Sequence, residues 1–413
     1  MEINTYQRNA TYLNKFNKIK VLDCVRKYGP VSRAEVAKRV GLSAPTITRL
    51  VQGLIQEEQL IVDIGEGTSS GGRPPTLIRI NSDINYLIGI DLGTTKIHGV
   101  LSNLDADILA TCEVVTPVAE GFDSIMQETA GVIRRLMEQV DAKTGNLRGI
   151  GMGVAGLITL EDKTVAYSPD FQWENVDVLG ALQPQFPVPI TLDNVTRVMA
   201  HGELWYGIGR ERKNFICINV GYGIGSGIIV NGEPFLGAEG MAGEFGHITL
   251  ASDSDAVCAC GNRGCLEALA SGRAIAVAAQ KALKEGEQSS LREMCAGHME
   301  TVDAALVVEA ARHGDMVASR IFENAMKYLG IGIAGLITLF NPQAVVIGGG
   351  VSSNGDIFFD AVRESIELHT MRRMATDVPI VPAHFGDRAA VMGAVSLILG
   401  EVLSLKHEKG IAA

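Results

Sequence analysis

Two glycine-rich loops, each directly after an apolar strand, constrain this chain more than any other feature. Leu87-Ile88-Gly89-Ile90 runs into Asp91-Leu92-Gly93-Thr94-Thr95-Lys96, and Phe215 to Val220 runs into Gly221-Tyr222-Gly223-Ile224-Gly225-Ser226-Gly227. Glycine lets backbone approach a phosphate, the hydroxyls and amides donate to it, and the leading Asp91 can hold hydrated magnesium. One such junction is common at a strand end. Two in separate halves predict two α/β lobes of similar design. Ile150–Val154 and Ala344–Ile347 read as further buried strands, the second framed by Asn341-Pro342 and Gly348-Gly349-Gly350. Strands and helices alternate from Tyr86 onward, as an α/β body requires.

Before Tyr86 the pattern is different. Residues 15–28 carry Phe16, Ile19, Val21, Leu22 and Val25 at helical spacing, and Gly29-Pro30 stops the run. Ser32-Arg33-Ala34-Glu35 is a capping box that opens a short helix to Val40, and Gly41 ends it. Ser43 caps a third helix, with Pro45 in its first turn and Ile47, Leu50, Val51, Leu54 and Ile55 as its apolar face. Leu60 to Val62 and Thr76 to Ile80 then read as strands around a flexible tip, Gly65 to Gly72, followed by Arg73-Pro74-Pro75. Three helices and a hairpin make a winged helix-turn-helix, expected over residues 1–81.

Charge agrees with that division. Residues 1–80 hold 12 Lys and Arg against 7 Asp and Glu, while the rest holds 24 against 40, giving a net charge of −11. A basic head on an acidic body assigns contact with a polyanion to the head alone. The start of a recognition helix enters the major groove, which nominates Ser43, Ala44, Thr46, Thr48 and Arg49 for DNA contact. Arg33, Lys38, Arg39 and Arg73 are expected on phosphates. The acidic body would repel DNA, so the head is expected to be held out from it in a fixed pair geometry, with residues 81–85 as a short linker that carries movement.

The most specific local pattern is His247 followed by Cys258-Ala259-Cys260-Gly261-Asn262-Arg263-Gly264-Cys265. Three thiolates and one imidazole complete a tetrahedral zinc site with no open position, so the zinc is structural rather than hydrolytic. Such a knot pins Glu244 and Glu267 near each other, and two fixed carboxylates suit the vicinal hydroxyls of a sugar.

These residues resemble the ROK family of repressors, open reading frames and sugar kinases. Gly240 to His247, Cys258 to Glu267, the loops at Asp91 and Gly221, and Phe340-Asn341-Pro342 with Ile347 to Gly350 carry the resemblance over nearly the whole chain. The head, with Gly71-Gly72-Arg73-Pro74-Pro75, is similar to the repressor branch, which includes xylose and N-acetylglucosamine repressors. The resemblance implies an actin-like (ribonuclease H-like) ATPase/sugar-kinase fold behind the winged head. The first lobe is expected over 86–193 and the second over 194–385, with a helix at about 386–405 packing back on the first. It implies sugar contacts from Asp170, Asn194, Glu244, His247 and Glu267. It also implies a phosphate cradle, now vestigial, from Asp91, Gly93, Thr94, Thr95, Lys96, Gly221, Gly223 and Gly225.

One departure sets the expected activity. Family kinases carry a general-base Asp directly after the Asn that corresponds to Asn194, and this chain has Val195, which cannot accept a proton. Tyr222 stands where the kinases carry Thr. The expectation is a non-enzymatic, cytoplasmic repressor that binds operator DNA as a homodimer or homotetramer. A sugar or sugar phosphate would release it, with no membrane insertion. The competing functions are a bifunctional sugar kinase and a repressor whose effector is a protein.

Overall fold

The computed structural model describes residues 2–67, 74–140 and 146–404. The head opens with α1 (Glu2–Tyr28), β1 (Val31–Ser32), α2 (Arg33–Val40) and α3 (Ala44–Gln56). Ser32 Oγ accepts from Glu35 N and Ser43 Oγ from Thr46 N, so both helices start where their capping residues dictate. Gly41 ends α2 in the left-handed conformation, at φ 73°. The wing is β2 (Ile61–Glu66) against β3 (Thr76–Ile80). Strand β2 runs beyond Val62 and takes in Gly65, which the sequence placed in the tip. The two-residue β1 adds to the other edge of β3. Arg73 and the tail beyond Ser404 lie outside the described residues.

The first lobe holds β4 (Asn85–Leu92), β5 (Lys96–Asn103), β6 (Ile108–Val115), α4 (Phe122–Met137) and β7 (Asn146–Val154). A small sheet of β8 (Leu157–Ile158), β9 (Val165–Ser168) and β10 (Trp173–Val176) follows, then α5 (Val178–Leu182), β11 (Ile190–Asn194) and α6 (Val195–Trp205). The second lobe holds β12 (Phe215–Val220), β13 (Ile224–Val230), β14 (Glu233–Pro234), α7 (Leu266–Ala270), α8 (Gly272–Lys284), α9 (Leu291–Met294), α10 (Ala304–Arg312) and α11 (Met316–Phe340). It continues with β15 (Val345–Gly348), α12 (Asp356–His369), α13 (Arg372–Asp377) and β16 (Ile380–Pro382), and α14 (Ala389–Ser404) ends the described chain.

The two large sheets have one topology. The first runs β6-β5-β4-β7-β11 and the second β14-β13-β12-β15-β16. In each, a three-stranded antiparallel meander is extended by two parallel strands. A helix follows the last strand of each sheet, α6 after the first and α14 after the second. This is the repeated lobe of the actin-like sugar-kinase fold.

Helices α6 and α14 pack on each other between the lobes. Their backbones touch at Gly202 and Gly393: a Cβ on Gly393 would lie 2.1 Å from the Val198 carbonyl oxygen, and one on Gly202 would lie 3.2 Å from the Gly393 Cα. Helix α14 also lies across β4, β7 and β11 of the first lobe, although it follows the second in sequence.

The head is not held away from the body. One continuous core joins Val21, Leu22 and Val25 of α1, Leu50 and Leu54 of α3 and Ile78 of β3 to Leu87, Val100, Val395, Leu399 and Val402. Each such side chain fully removed from water contributes ~1.5–3 kcal/mol. A joint core of this kind is a fixed interface rather than a tethered one. Nor do residues 81–85 form a free tether. Ser82 and Asn85 are buried, and Asn85 Nδ2 donates to the carbonyls of Gln59 (2.8 Å) and Asn81 (2.7 Å). Arg148 of β7 donates to Asn85 Oδ1 and, at 2.6 Å, to the Glu58 carbonyl. Arg26 stacks over Trp205 at 4.3 Å and donates to the Trp205 carbonyl. The acidic net charge of the body therefore does not decide the arrangement. Apolar burial and these paired polar contacts fix the head on the body, whatever the diffuse, screened repulsion between the body and DNA.

The helix crossing predicts a contrast between two glycines. Gly393→Ala forces α6 and α14 apart and should cost ~2 kcal/mol or more in urea unfolding. Gly335→Ala, at an exposed position of α11 with nothing within 4 Å of the added methyl, should be neutral or stabilising by up to ~1 kcal/mol. Equal effects would contradict the packing described.

Candidate functional site

A cleft of about 880 Å³ opens between the lobes. Every residue nominated from sequence for sugar or phosphate contact lines it. Asp91, Gly93, Thr94, Thr95 and Lys96 come from the β4–β5 turn, and Gly221, Gly223 and Gly225 from the β12–β13 turn. Asp170 lies between β9 and β10, Asn194 ends β11, and Glu244, His247 and Glu267 come from the segment joining β14 to α7 and from α7 itself.

The metal-type residues are also together. The ligand atoms of His247, Cys258, Cys260 and Cys265 all lie within 4.8 Å of one another. His247 Nδ1 is 3.5 Å from Cys258 Sγ, and the Sγ atoms of Cys260 and Cys265 are 3.8 Å apart. A tight loop makes this possible. Gly264 takes φ 65°, and a Cβ there would sit 1.7 Å from the Ala251 carbonyl oxygen. Burial pushes the Cys258 thiol up to about 12, so filling the site must displace protons.

From this knot the chain runs into the catalytic-type face of the second lobe. Cys265 immediately precedes α7, so Glu267 falls in the helix's first turn. Glu267 Oε2 accepts from Ile224 N at 3.0 Å, which ties the knot to the β12–β13 turn. Burial raises the Glu244 carboxyl; His247 and Arg197 draw it back, and Glu267 pushes it further up. Burial also raises Asp170, against the pull of Arg273 and His247. Asp91 is pushed up to about 6 by burial, with Lys96 opposing.

The β11–α6 junction carries both the general-base position, held by Val195, and its acidic neighbour Asp193. Asn194 Oδ1 caps α6 by accepting from Thr196 N at 2.8 Å, and its Nδ2 donates to the Gly156 carbonyl at 2.9 Å. Val195, the first residue of α6, faces the cleft. Asp193 is buried and its Oδ1 accepts from Arg197 Nε at 2.8 Å, while Arg197 also donates to the Gly240 carbonyl. That carboxylate is committed to an internal ion pair.

The DNA-type residues form a separate surface. Ser43, Ala44, Thr48 and Arg49 are exposed along the start of α3, with Thr46 half-buried. Ser43 Oγ and Thr46 Oγ1 are 2.8 Å apart, and Thr48 Oγ1 donates to the Ala44 carbonyl at 3.0 Å. Arg33 pairs with Asp63 of the wing at 3.1 Å. Sequence reasoning missed Arg273, Asp303 and Asp387, which also line the cleft. For Arg273 there was a signal: a cation in the first turn of α8 opposes the helix dipole and is out of place for stability alone. Lys96 is less available than its loop suggested, because it pairs with Glu113 of β6 at 2.7 Å.

A DNA-reading winged head that shares its core with a two-lobed sugar-kinase-like body, with acidic and imidazole groups gathered in the cleft, defines the class of protein. The ROK family model matches residues 87–401, and a winged helix-turn-helix DNA-binding model matches residues 17–60. The chain belongs to the ROK family. It is 33% identical to the xylose repressor of Caldicellulosiruptor bescii over 396 residues, covering 96% of this chain and 98% of that one. It is 29% identical to the DNA-binding transcriptional dual regulator NagC of Escherichia coli over 397 residues, covering 96% and 95%. Among solved structures, it matches a ROK family transcriptional regulator, a homologue of the E. coli Mlc protein, with a TM-score of 0.80 and 25% identity over 95% of this chain and 98% of that one. It also matches a ROK family glucokinase from Streptomyces griseus in complex with glucose and AMPPNP, with a TM-score of 0.69 and 30% identity over 76% and 98%.

The environment of Asp91 predicts a pH-dependent effect. Its folded value, about 6, exceeds the ordinary 3.8. The native state therefore binds the extra proton between these values, and the group's contribution to stability falls as pH rises through that window. Asp91→Asn should be more stable than wild type by ~1–3 kcal/mol at pH 7.5, and the gain should vanish near pH 4. Urea titrations at both pH values, without added magnesium, check this; a gain equal at both would contradict it.

Proposed function

We propose that this protein is a sugar-responsive transcriptional repressor. In this reading residues 1–81 hold operator DNA, and a sugar or sugar phosphate bound between the two lobes releases it. One observation carries the reading above others: the head shares its core with α14, the helix that crosses α6 between the lobes of a cleft lined by Glu244, His247 and Glu267. Full-length similarity to xylose and N-acetylglucosamine repressors supports it.

Within the cleft, Glu244 and Glu267 accept from vicinal sugar hydroxyls. Asn194 and Asp170 add contacts from the first lobe. His247 serves two partners, with Nδ1 on the metal and Nε2 left for a hydroxyl. The phosphate-type loops at Asp91 and Gly221 remain as walls. The protein does not phosphorylate its effector: Val195 accepts no proton, and Asp193 is buried against Arg197.

Zinc is the metal that the donor set suits. Two ~2.3 Å Zn–S bonds at the tetrahedral angle put their sulfurs ~3.8 Å apart, and with a ~2.05 Å Zn–N bond the S···N separation is ~3.5 Å. These match the 3.8 Å between Cys260 and Cys265 and the 3.5 Å between Cys258 and His247 Nδ1. Zinc bound there supplies structural cross-linking. Metal analysis should give about one zinc per chain, and Cys260→Ser should lower the melting temperature and weaken sugar binding. A metal-free Cys260→Ser variant with unchanged stability and sugar response would remove zinc from the mechanism.

On DNA, the first half of α3 reads bases, with Arg49, Thr46, Thr48, Ser43 and Ala44 at the groove and Arg33 with Arg73 on phosphates. One recognition helix reads only a few base pairs, so a homodimer or homotetramer presenting paired heads to a palindrome is required. A sugar that draws the lobes together turns α6 against α14, and the heads ride on both. Release then needs the sugar to bind the DNA-free form more tightly, about tenfold per 1.4 kcal/mol of coupling. Two variants separate the sites in band-shift and calorimetric titrations. Arg49→Ala should weaken operator binding about tenfold or more with sugar binding intact. Glu244→Ala should bind operator normally and fail to release it. Normal release by Glu244→Ala would show that the cleft is not the sensor.

A further inference from the structure

The cleft is strongly acidic, and its two cations are unequally placed. Six carboxylates line it, Asp91, Asp170, Glu244, Glu267, Asp303 and Asp387, against Lys96 and Arg273. Lys96 is paired with Glu113. Arg273 has no ion pair and no side-chain hydrogen bond among the described residues; its guanidinium lies 5.9 Å from the centre of the Tyr222 ring. Its backbone is held, because Arg273 N donates to the Tyr222 carbonyl and Gly272 N to the Gly221 carbonyl. The side chain is thus aimed into the cleft from a fixed base.

Across the cleft, on the other lobe, Asp170 has a raised carboxyl that Arg273 draws back down. No hydrogen bond or ion pair engages the Asp170 carboxylate among the described residues. Both side chains therefore line the one cleft from opposite lobes, neither with a committed ion-pair or hydrogen-bond partner among the described residues. The amides that could cradle a phosphate at the start of α8 are already used: Gly272 and Arg273 as above, and Ala274 N by Ser271 Oγ at 3.1 Å. A phosphate ester entering here would meet one uncommitted guanidinium, no free helix amides at that turn, and a ring of carboxylates in a site of reduced dielectric.

We propose that the effector is an uncharged monosaccharide, and that Arg273 pairs with Asp170 across the lobes when they close over it. This rests on the reading of the cleft as a sugar sensor. Arg273 is then a specificity residue twice over. It neutralises Asp170 in the closed state, and with Lys96 held by Glu113 that commitment leaves no free Lys or Arg among the described residues of the cleft to receive a phosphate. Tyr222 flattens the guanidinium toward its partner through its ring face.

Calorimetric titration of the full-length, metal-bound protein tests this, with free aldopentoses and aldohexoses and their terminal phosphate esters as probes. A free sugar should bind, and its ester should bind at least about 100-fold more weakly. Asp170→Asn should weaken the free sugar about tenfold or more and Arg273→Gln about tenfold, and the double variant should be no weaker than Asp170→Asn alone, because the pairing is already lost there. Arg273→Lys, which keeps the charge, should stay within a few-fold of wild type and guards against misfolding of the Gln variant. Tighter binding of the ester than of the free sugar, abolished in Arg273→Gln, would make Arg273 a phosphate receptor and overturn the proposal. Losses that multiply in the double variant would overturn the pairing. If neither class of compound binds, and Glu244→Ala behaves as wild type, the sensor reading itself fails and takes this proposal with it.

Discussion

The contact on which the rest of the structure depends is the crossing of α6 and α14. Each helix follows the last strand of its own sheet, so the crossing is where the two repeats of the fold meet. Gly202 and Gly393 remove the side chains that would separate the two backbones. Because α14 reaches back over β4 and β7, the second repeat is bound to the first by its own end. The head then completes its core on the outer side of the same helix, through Val395, Leu399 and Val402. Trp205, the last residue of α6, takes the stacked Arg26 from α1. Both crossing helices therefore touch the head, and a rotation of one against the other cannot leave it where it was.

The second lobe brings a stiff wall to the cleft, built outward from the cysteine knot. Cys265 sets the start of α7, α7 sets Glu267, and Glu267 holds the amide of Ile224 at the foot of the second glycine-rich turn. The first lobe brings Asn194, whose side chain also caps α6 and donates to the Gly156 carbonyl. A ligand touching Asn194 and Glu267 thus touches the base of α6 on one side and the knot on the other. In the proposed mechanism that is the route from cleft to helix crossing to head.

Local signals were legible in the sequence, and long-range ones were not. The caps at Ser32 and Ser43 and the end at Gly41 follow from residue chemistry within one turn, and the structure has all three. The two glycine-rich turns and the His247–Cys265 cluster were legible because each needs residue types that packing alone does not call for. The joint core of head and body was hidden. Val21, Leu22 and Val25 read as the inner stripe of a three-helix head, and nothing in their spacing says that α14, some 370 residues later, completes that core. Asn85 read as part of a linker, since a buried polar contact shows only once its partner, here Arg148, is in place. Overall charge misled for the same reason: −11 spread over the whole chain says nothing about which apolar faces meet.

The central claim is that the cleft reaches DNA through α6, α14 and the docked head. The measurement that tests it most directly is the ratio of operator dissociation constants with and without saturating effector sugar, in wild type and in Trp205→Ala. That substitution removes the stack on Arg26 at the end of α6 and touches neither the cleft nor the recognition helix. The ratio is the coupling between the sites. It should fall toward one in Trp205→Ala, while sugar affinity and sugar-free operator affinity stay within a few-fold of wild type. A ratio as large as in wild type, with both affinities unchanged, would show that the signal does not pass through this contact.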